Sequence, residues 1–286
     1  MYKFSLVMAT YGRLEEIDHF FDSILSSDYD LNKVEIIVVD QNDEICLDNI
    51  IEKYSSSLNI KHIKSDVKGL SKNRNIGIRE SKGQYIAFPD DDCKYMNDTL
   101  KKVESYFENN KEVYAVMGRI VDEDNNDCIR KWSKQSETIT KSNFYTKLSS
   151  ITLFKRNEEK QYFNEQMGVG APFGSNEDAN IIYKCLKSGK NIKYYPDIVL
   201  YHPKPPKHIE LNKVYNYGLG FGALCKENLD INMIILFIKV IVYHFLRLII
   251  GILTLNKSEI KLRCKYIQSR ISGFTKYNRE DNYQYD

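Results

Sequence analysis

The sequence predicts an α/β protein with a mostly parallel central sheet flanked by helices, and three observations carry that reading. Through the first half of the chain, short β-branched apolar runs alternate with segments whose apolar residues fall at helical spacing. One of these runs, VEIIVV at 34–39, is nearly continuous, as in a strand covered on both faces. With 286 residues, 42% of them apolar, the chain can bury one large core and still carry an appendage. Strands that alternate with helices are joined by right-handed crossovers, and ligands of such sheets bind beyond the carboxyl ends of the strands. Residues 9–13, 40–44 and 89–93 are therefore where chemistry is expected.

Taken in order, residues 3–9 read as a strand. Residues 13–26 read as a helix, with Leu14, Ile17, Phe20, Phe21, Ile24 and Leu25 on one face. A strand at 34–39, a helix at 46–54 and a third strand at 58–63 follow. A glycine turn precedes a helix at 70–80. QYIAF at 84–88 is a fourth strand, stopped by Pro89. A helix at 99–109 and a strand at 113–121 complete this half. Residues 122–159 are polar and less regular, with a strand expected at 151–154. A helix is expected after Asn176, and short strands at 192–195 and 198–201, before Pro203, Pro205 and Pro206 break the pattern. This places a catalytic domain at 1–207 and a separate C-terminal region at 208–286.

Lys and Arg number 41 against 39 Asp and Glu, so no global field favours nucleic acid, and none is expected as a partner. The six cysteines show no metal-binding spacing and read as free thiols of a reducing compartment. The opening KFSLVMAT is too short for a secretory apolar region and carries no cleavage site, so the catalytic part is expected in the cytoplasm.

Asp90, Asp91 and Asp92 follow the fourth strand and its proline. Three adjacent carboxylates repel one another unless a positive group binds them. A hard divalent cation, Mn²⁺ or Mg²⁺, is the natural partner, held by one or two carboxylates together with substrate phosphates. In an extended segment Asp90 and Asp92 point to one side and Asp91 to the other. A solvated acidic turn is the ordinary alternative. Asp40 ends the second strand, where it can accept from a base N–H or cap the following turn. Thr10, Tyr11 and Arg13 end the first strand and offer a hydroxyl, an aromatic surface and a cation. Gly69 opens a helix carrying Lys72 and Arg74; a helix N-terminus with two cations suits phosphate, though a solvated helix face explains them equally.

Five segments in order resemble glycosyltransferase family 2, with its Rossmann-like GT-A fold: SLVMATYGR, VVDQNDE, KGLSKNRNIGI, YIAFPDDDC and FNEQMGVGAPFGSNEDANIIYKCLKSG. The resemblance covers about 1–202, and YGLGFGALCKE is similar in style to bacterial enzymes of surface-polysaccharide assembly. It implies a nucleotide-sugar donor, favoured as a UDP-sugar, a saccharide or lipid-linked acceptor, and inversion at the anomeric carbon. Asp40 would contact the base. Asp90 and Asp92 would be the paired metal-site carboxylates, with Asp91 and Asp92 as the fallback because Cys93 follows a run of three. Asp178 would be the general base with Glu177 beside it, and His202 a further metal or diphosphate contact. First-turn acids favouring a helix dipole are the plain explanation of Glu177 and Asp178, and a strand-end histidine that of His202. The only tryptophan, Trp132, offers a surface for an acceptor sugar or a packing side chain.

Residues 233–255, MIILFIKVIVYHFLRLIIGILTL, are long enough to span a bilayer but include Lys239, His244 and Arg247 near one side of a helix. Lys257, Lys261, Arg263, Lys265, Arg270 and Lys276 follow, against Glu259 alone. A membrane surface at the cytoplasmic face is the expected partner, with the helix in the interface, in a shallow hairpin or across; a buried helix is the alternative. Two other functions share this layout. A metal-dependent nucleotidyltransferase would place a glycine-rich basic loop after the first strand, which ATYGR lacks. A non-catalytic membrane-bound scaffold would have no use for Asp90, Asp92 and Asp178.

Overall fold

The computed structural model describes residues 1–206 and 210–279. Strands β1 (Phe4–Thr10), β2 (Val34–Asp40), β3 (Asn59–Lys64), β4 (Tyr85–Ala87), β5 (Lys94–Tyr95), β6 (Val113–Val121), β7 (Glu137–Ile139), β8 (Leu153–Arg156) and β9 (Asn191–Tyr201) form one sheet. Its order is β3-β2-β1-β4-β8-β6-β9-β5, with β7 also on β9. Pairs β3–β2, β2–β1, β1–β4 and β6–β9 are parallel, while β8, β5 and β7 run against their neighbours. The helices are α1 (Glu15–Leu25), α2 (Asp48–Ser55), α3 (Leu70–Glu80), α4 (Thr99–Asn109), α5 (Glu177–Lys187), α6 (Leu211–Glu227), α7 (Ile231–Leu253) and α8 (Lys257–Lys276). The predicted mixed architecture is the one observed.

The chain divides into two compact units. One comprises Met1–Tyr162 with Cys185–Pro205; the other comprises Phe163–Lys184 with the described part of Pro206–Asp286. In the first, every residue of β1 and β2 is buried, as their unbroken apolar runs require. The edge strand β3 instead alternates in exposure. The α3 helix lies tight on β1, where a side chain at Gly77 would meet the Val7 side chain at 2.4 Å. Two short strands at 192–195 and 198–201 are corrected to one, β9. Pro196 interrupts it without ending it, because β6 shifts register between Met117 and Arg119 and the Arg119 guanidinium donates to the Pro196 carbonyl at 2.8 Å. The strand expected at 151–154 begins at Leu153, because a 3-10 turn occupies Ser150–Thr152.

In the second unit, α6 and α8 pack along each other, and α7 packs on α8. Met167, Phe173, Ala223 and Tyr277 form a small apolar core. The six cysteines are free, as expected: Cys46 and Cys264 are exposed, the others buried.

Candidate active site

The ends of β1, β2 and β4 place the predicted residues of the first unit in two clusters. Parallel pairing sets Thr10 beside Asp40 at the carboxyl ends of β1 and β2. At the end of β4, the three aspartates are sorted by their partners. The Thr10 hydroxyl donates to Asp91 Oδ2 at 2.7 Å. Arg13 Nη2 lies 3.2 Å from Asp92 Oδ2. Arg74, 1% exposed and carried by α3, donates to Asp90 Oδ1 at 2.7 Å and to the Ser150 hydroxyl at 3.3 Å. Of the two cations expected on α3, it is therefore Arg74 that reaches the carboxylates; Lys72 stays half-buried in the first turn. Burial pushes the Asp91 carboxyl up to about 6, the Thr10 hydrogen bond opposes this, and the charges of Asp90 and Asp92 add to it.

His202, directly after β9, completes this cluster. Asp90, Asp92 and His202 can each offer one ligand atom, all within 4.8 Å of one another. The His202 Nδ1 lies 2.6 Å from the Pro203 carbonyl. A carbonyl only accepts, so Nδ1 carries a proton and Nε2 is the nitrogen turned toward the aspartates. That Nε2 is 3.5 Å from Asp92 Oδ1. Asp90 and Asp92 are already paired with Arg74 and Arg13, and with the imidazole they still leave three ligand atoms close enough to share one cation. The donor set, hard oxygens with one imidazole nitrogen oriented through its other nitrogen, fits Mn²⁺ or Mg²⁺.

The second cluster surrounds Asp40, which is fully buried. Its Oδ1 accepts from the Asn42 backbone N–H at 2.9 Å and the Asn42 amide at 2.8 Å; its Oδ2 meets Lys64 Nζ at 2.6 Å and His62 Nε2 at 3.0 Å. Burial raises the Asp40 carboxyl, but the Lys64, Asn42 and His62 hydrogen bonds outweigh it and hold the group below the usual carboxylate range. Tyr11 is 61% exposed, with the Lys68 ammonium 5.2 Å from its ring centre. Gln41 Oε1 accepts from the Gly69 N–H and the Asn73 amide, tying the start of α3 to the end of β2. Gly69, at φ 122°, makes that turn possible. His62, Lys64, Lys68, Gln41 and Asn42 are not among the residues singled out from sequence. Parallel register pairs Lys64 directly with Asp40.

Glu177 and Asp178 lie in the second unit, in the first turn of α5. Asn176 precedes them at φ 68°, and Asp178 Oδ1 accepts from the Ala179 N–H at 2.7 Å. The glycine-rich segment before them is laid on α6: the Ser175 hydroxyl donates to the Tyr217 carbonyl at 2.9 Å, and a side chain at Gly220 would meet the Ser175 carbonyl at 2.3 Å. Trp132 proves to be a packing residue, 4% exposed, its indole N–H donating to the Cys128 carbonyl at 2.9 Å.

A sequence profile described as "Glycosyl transferase family 2" matches residues 5–176, well over half of the chain. The chain belongs to glycosyl transferase family 2. Among curated relatives, it is 24% identical over 228 residues to poly(ribitol-phosphate) beta-N-acetylglucosaminyltransferase TarS of Staphylococcus aureus (strain MW2), covering 75% of this chain but 38% of TarS. The family 2 chain thus spans well under half the length of that relative. Among solved structures it is similar to S. aureus TarS 1–349 in complex with UDP-GlcNAc, at TM-score 0.63 and 17% identity over 99% of this chain and 93% of that one. It is also similar to the mannosyltransferase PcManGT from Pyrobaculum calidifontis in complex with GDP-Man and Mn²⁺, at TM-score 0.66 and 14% identity over 96% and 88%. At such identities these likenesses bear on the fold, which is that of nucleotide-sugar transferases.

Proposed function

We propose that this protein is a metal-dependent, inverting glycosyltransferase. It moves a sugar from a nucleoside-diphosphate sugar, favoured as a UDP-sugar, onto a saccharide or lipid-linked acceptor of cell-surface polysaccharide synthesis, at the cytoplasmic face of the membrane. The observation that carries the reading is the Asp90–Asp92–His202 cluster at the carboxyl end of β4, with His202 Nε2 turned toward the carboxylates. Asp90, Asp92 and His202 would hold Mn²⁺ or Mg²⁺. The chemistry such a cation supplies there is neutralisation of the leaving diphosphate.

The chain's own residues supply the rest. Arg74 and Arg13 fix the directions of Asp90 and Asp92, and Thr10 fixes Asp91. Asp40 with Lys64 and His62 forms a polar wall for the base, and Tyr11 offers it an aromatic face. Asp178 acts as general base: its Oδ1 is engaged by the Ala179 N–H, so Oδ2 takes the acceptor hydroxyl's proton. The acceptor oxygen then bonds to the anomeric carbon as the bond to the diphosphate breaks, and the configuration inverts. Glu177, 7% exposed, supports the start of α5 beside it. The UDP-GlcNAc complex of TarS supports a uridine donor, and the named substrate of that relative, poly(ribitol-phosphate), supports a surface-polymer acceptor.

Incubating the protein with Mn²⁺ and UDP-, GDP- and TDP-sugars tests this by product. Free nucleoside diphosphate is expected, most from a UDP-sugar. Pyrophosphate would instead indicate a nucleotidyltransferase, and no turnover with any donor or acceptor a non-catalytic scaffold.

A further inference from the structure

Helix α7 has the length to cross a membrane: 23 residues, about 34 Å at 1.5 Å per residue, against roughly 30 Å of hydrocarbon. Its surroundings within the second unit point to a different arrangement. The turn at Thr254–Asn256 sends α8 back along α7, and α8 packs on α6, the helix that leads into α7. The α6–α8 seam is made of small residues in direct contact. A side chain at Gly218 would fall 1.8 Å from the Ser269 hydroxyl, one at Gly222 2.2 Å from the Arg270 carbonyl, and one at Gly273 2.1 Å from the Leu219 carbonyl. Beyond the seam, the Tyr277 hydroxyl donates to Glu227 at 3.0 Å and accepts from Asn164 at 2.8 Å, and its ring meets Phe173 edge-on. Both neighbours of α7 are therefore held to one side. For α7 to cross, α8 must either enter the hydrocarbon with its lysines and arginines or peel away from α6.

Two polar residues of α7, His244 and Arg247, pair with side chains of α8. His244 is buried, stacked on Tyr266 at 4.4 Å, with Arg263 donating to its Nδ1 at 3.1 Å. Arg247 pairs with Glu259 at 3.0 Å, and Arg263 pairs with the same carboxylate. What remains outward is mostly apolar: Ile234, Ile238, Val242, Phe245, Leu246 and Ile249 are all exposed, with Lys239 and Tyr243 among them. The long side chain of Lys239 can reach the headgroups. No acidic residue occurs on α7, the one acidic residue of α8 is already paired, and Lys257 and Lys261 stand exposed at the end of the hairpin.

We infer that the α7–α8 hairpin is an in-plane docking surface for an anionic lipid bilayer: α7 lies in the interface and does not span it. The occupant is a bilayer because the face is predominantly apolar and its exposed charges, Lys239, Lys257 and Lys261, are all cationic, matching acyl chains beneath anionic headgroups. This deepens the membrane attachment proposed above and rests on it.

Two measurements test it separately. Purified protein is floated with vesicles of phosphatidylcholine alone or with phosphatidylglycerol, at low and high salt. Flotation favouring the anionic vesicles and largely kept in high salt is expected, with Ile238→Asp/Leu246→Asp partitioning at least about tenfold more weakly. Next, a protease-cleavable tag is appended after Asp286, and inside-out vesicles from expressing bacterial cells are treated with protease. Cleavage without detergent is expected, since neither α7 nor α8 leaves the cytoplasmic side. A tag protected until detergent is added would overturn the in-plane arrangement and leave membrane attachment standing. Absence of flotation would overturn attachment itself, and a dimer broken by the same double variant would then assign the face to a second copy.

Discussion

Lys155 and His202 show how one side chain's surroundings set its behaviour. Lys155 is 1% exposed on β8, its Nζ makes no hydrogen bond among the described residues, and the Tyr114 ring lies 5.8 Å away. Burial depresses its ammonium to about 8. In the native state it loses its proton earlier than in the unfolded chain, where its pKa is near 10.4. The penalty is thus full below about pH 8 and vanishes as pH rises through the unfolded value, so this group makes stability increase with pH across that window. Lys155→Met is expected to raise the melting temperature at pH 7, by about 2–3 kcal/mol of stability, with the gain shrinking toward pH 10. The comparison must be between the two proteins, because neighbouring Cys185, pushed up to about 11 by burial, titrates with the opposite sign in the same range. At the candidate site, His202→Ala is expected to raise the Mn²⁺ concentration for half-maximal turnover by about 10–100-fold, at least the effect of losing an outer-shell partner. An unchanged Mn²⁺ requirement would remove His202 from the cation's ligands. Asp178→Asn is expected to lower transfer by about 10²–10⁴-fold while donor affinity, read by calorimetry, holds. A matching loss of donor affinity would make Asp178 a donor contact instead.

At the scale of elements, the strands and helices of the first unit were legible because each carries its own periodicity. β2 reads as buried from VEIIVV alone, and α3 from the glycine and the NIGI that follow. The DDD run was legible as chemistry because a strand and a proline set it at a sheet end. What escaped were features made by pairing between distant segments. β9 was split at Pro196 because nothing local announces the register shift in β6 that accommodates it. The partners of Asp40 were missed because β3 looks like an ordinary edge strand until its register places Lys64 opposite. The α6–α8 seam is of the same kind: YGLGFGALCKE shows glycines, but only the packing shows what they face. Gly222→Ala would drive a methyl group to 2.2 Å from the Arg270 carbonyl. It is expected to cost about 1–3 kcal/mol, the usual range for overpacking, visible as a lower urea midpoint. No change in midpoint would mean that the seam is looser than described.

For the whole molecule, the family 2 sequence profile and the sheet order place the fold with nucleotide-sugar transferases, and the strand ends of the first unit bring together Thr10, Arg13, Arg74, the three aspartates and His202. The second unit carries Glu177 and Asp178 in its first helical turn and the apolar hairpin in its last two helices. The length and apolar character of α7 were legible from composition. The pairing of His244 and Arg247 was not, since Glu259 and Arg263 belong to another helix. The central claim is that a divalent cation held by Asp90, Asp92 and His202 assists glycosyl transfer. The most direct measurement is nucleoside diphosphate release from a nucleotide sugar as Mn²⁺ is titrated into chelator-treated wild type and Asp92→Asn protein of equal thermal stability. Release that saturates with Mn²⁺ in the wild type and is lost in the variant is the expected result. Equal release by both proteins, or full release with chelator present, would contradict it.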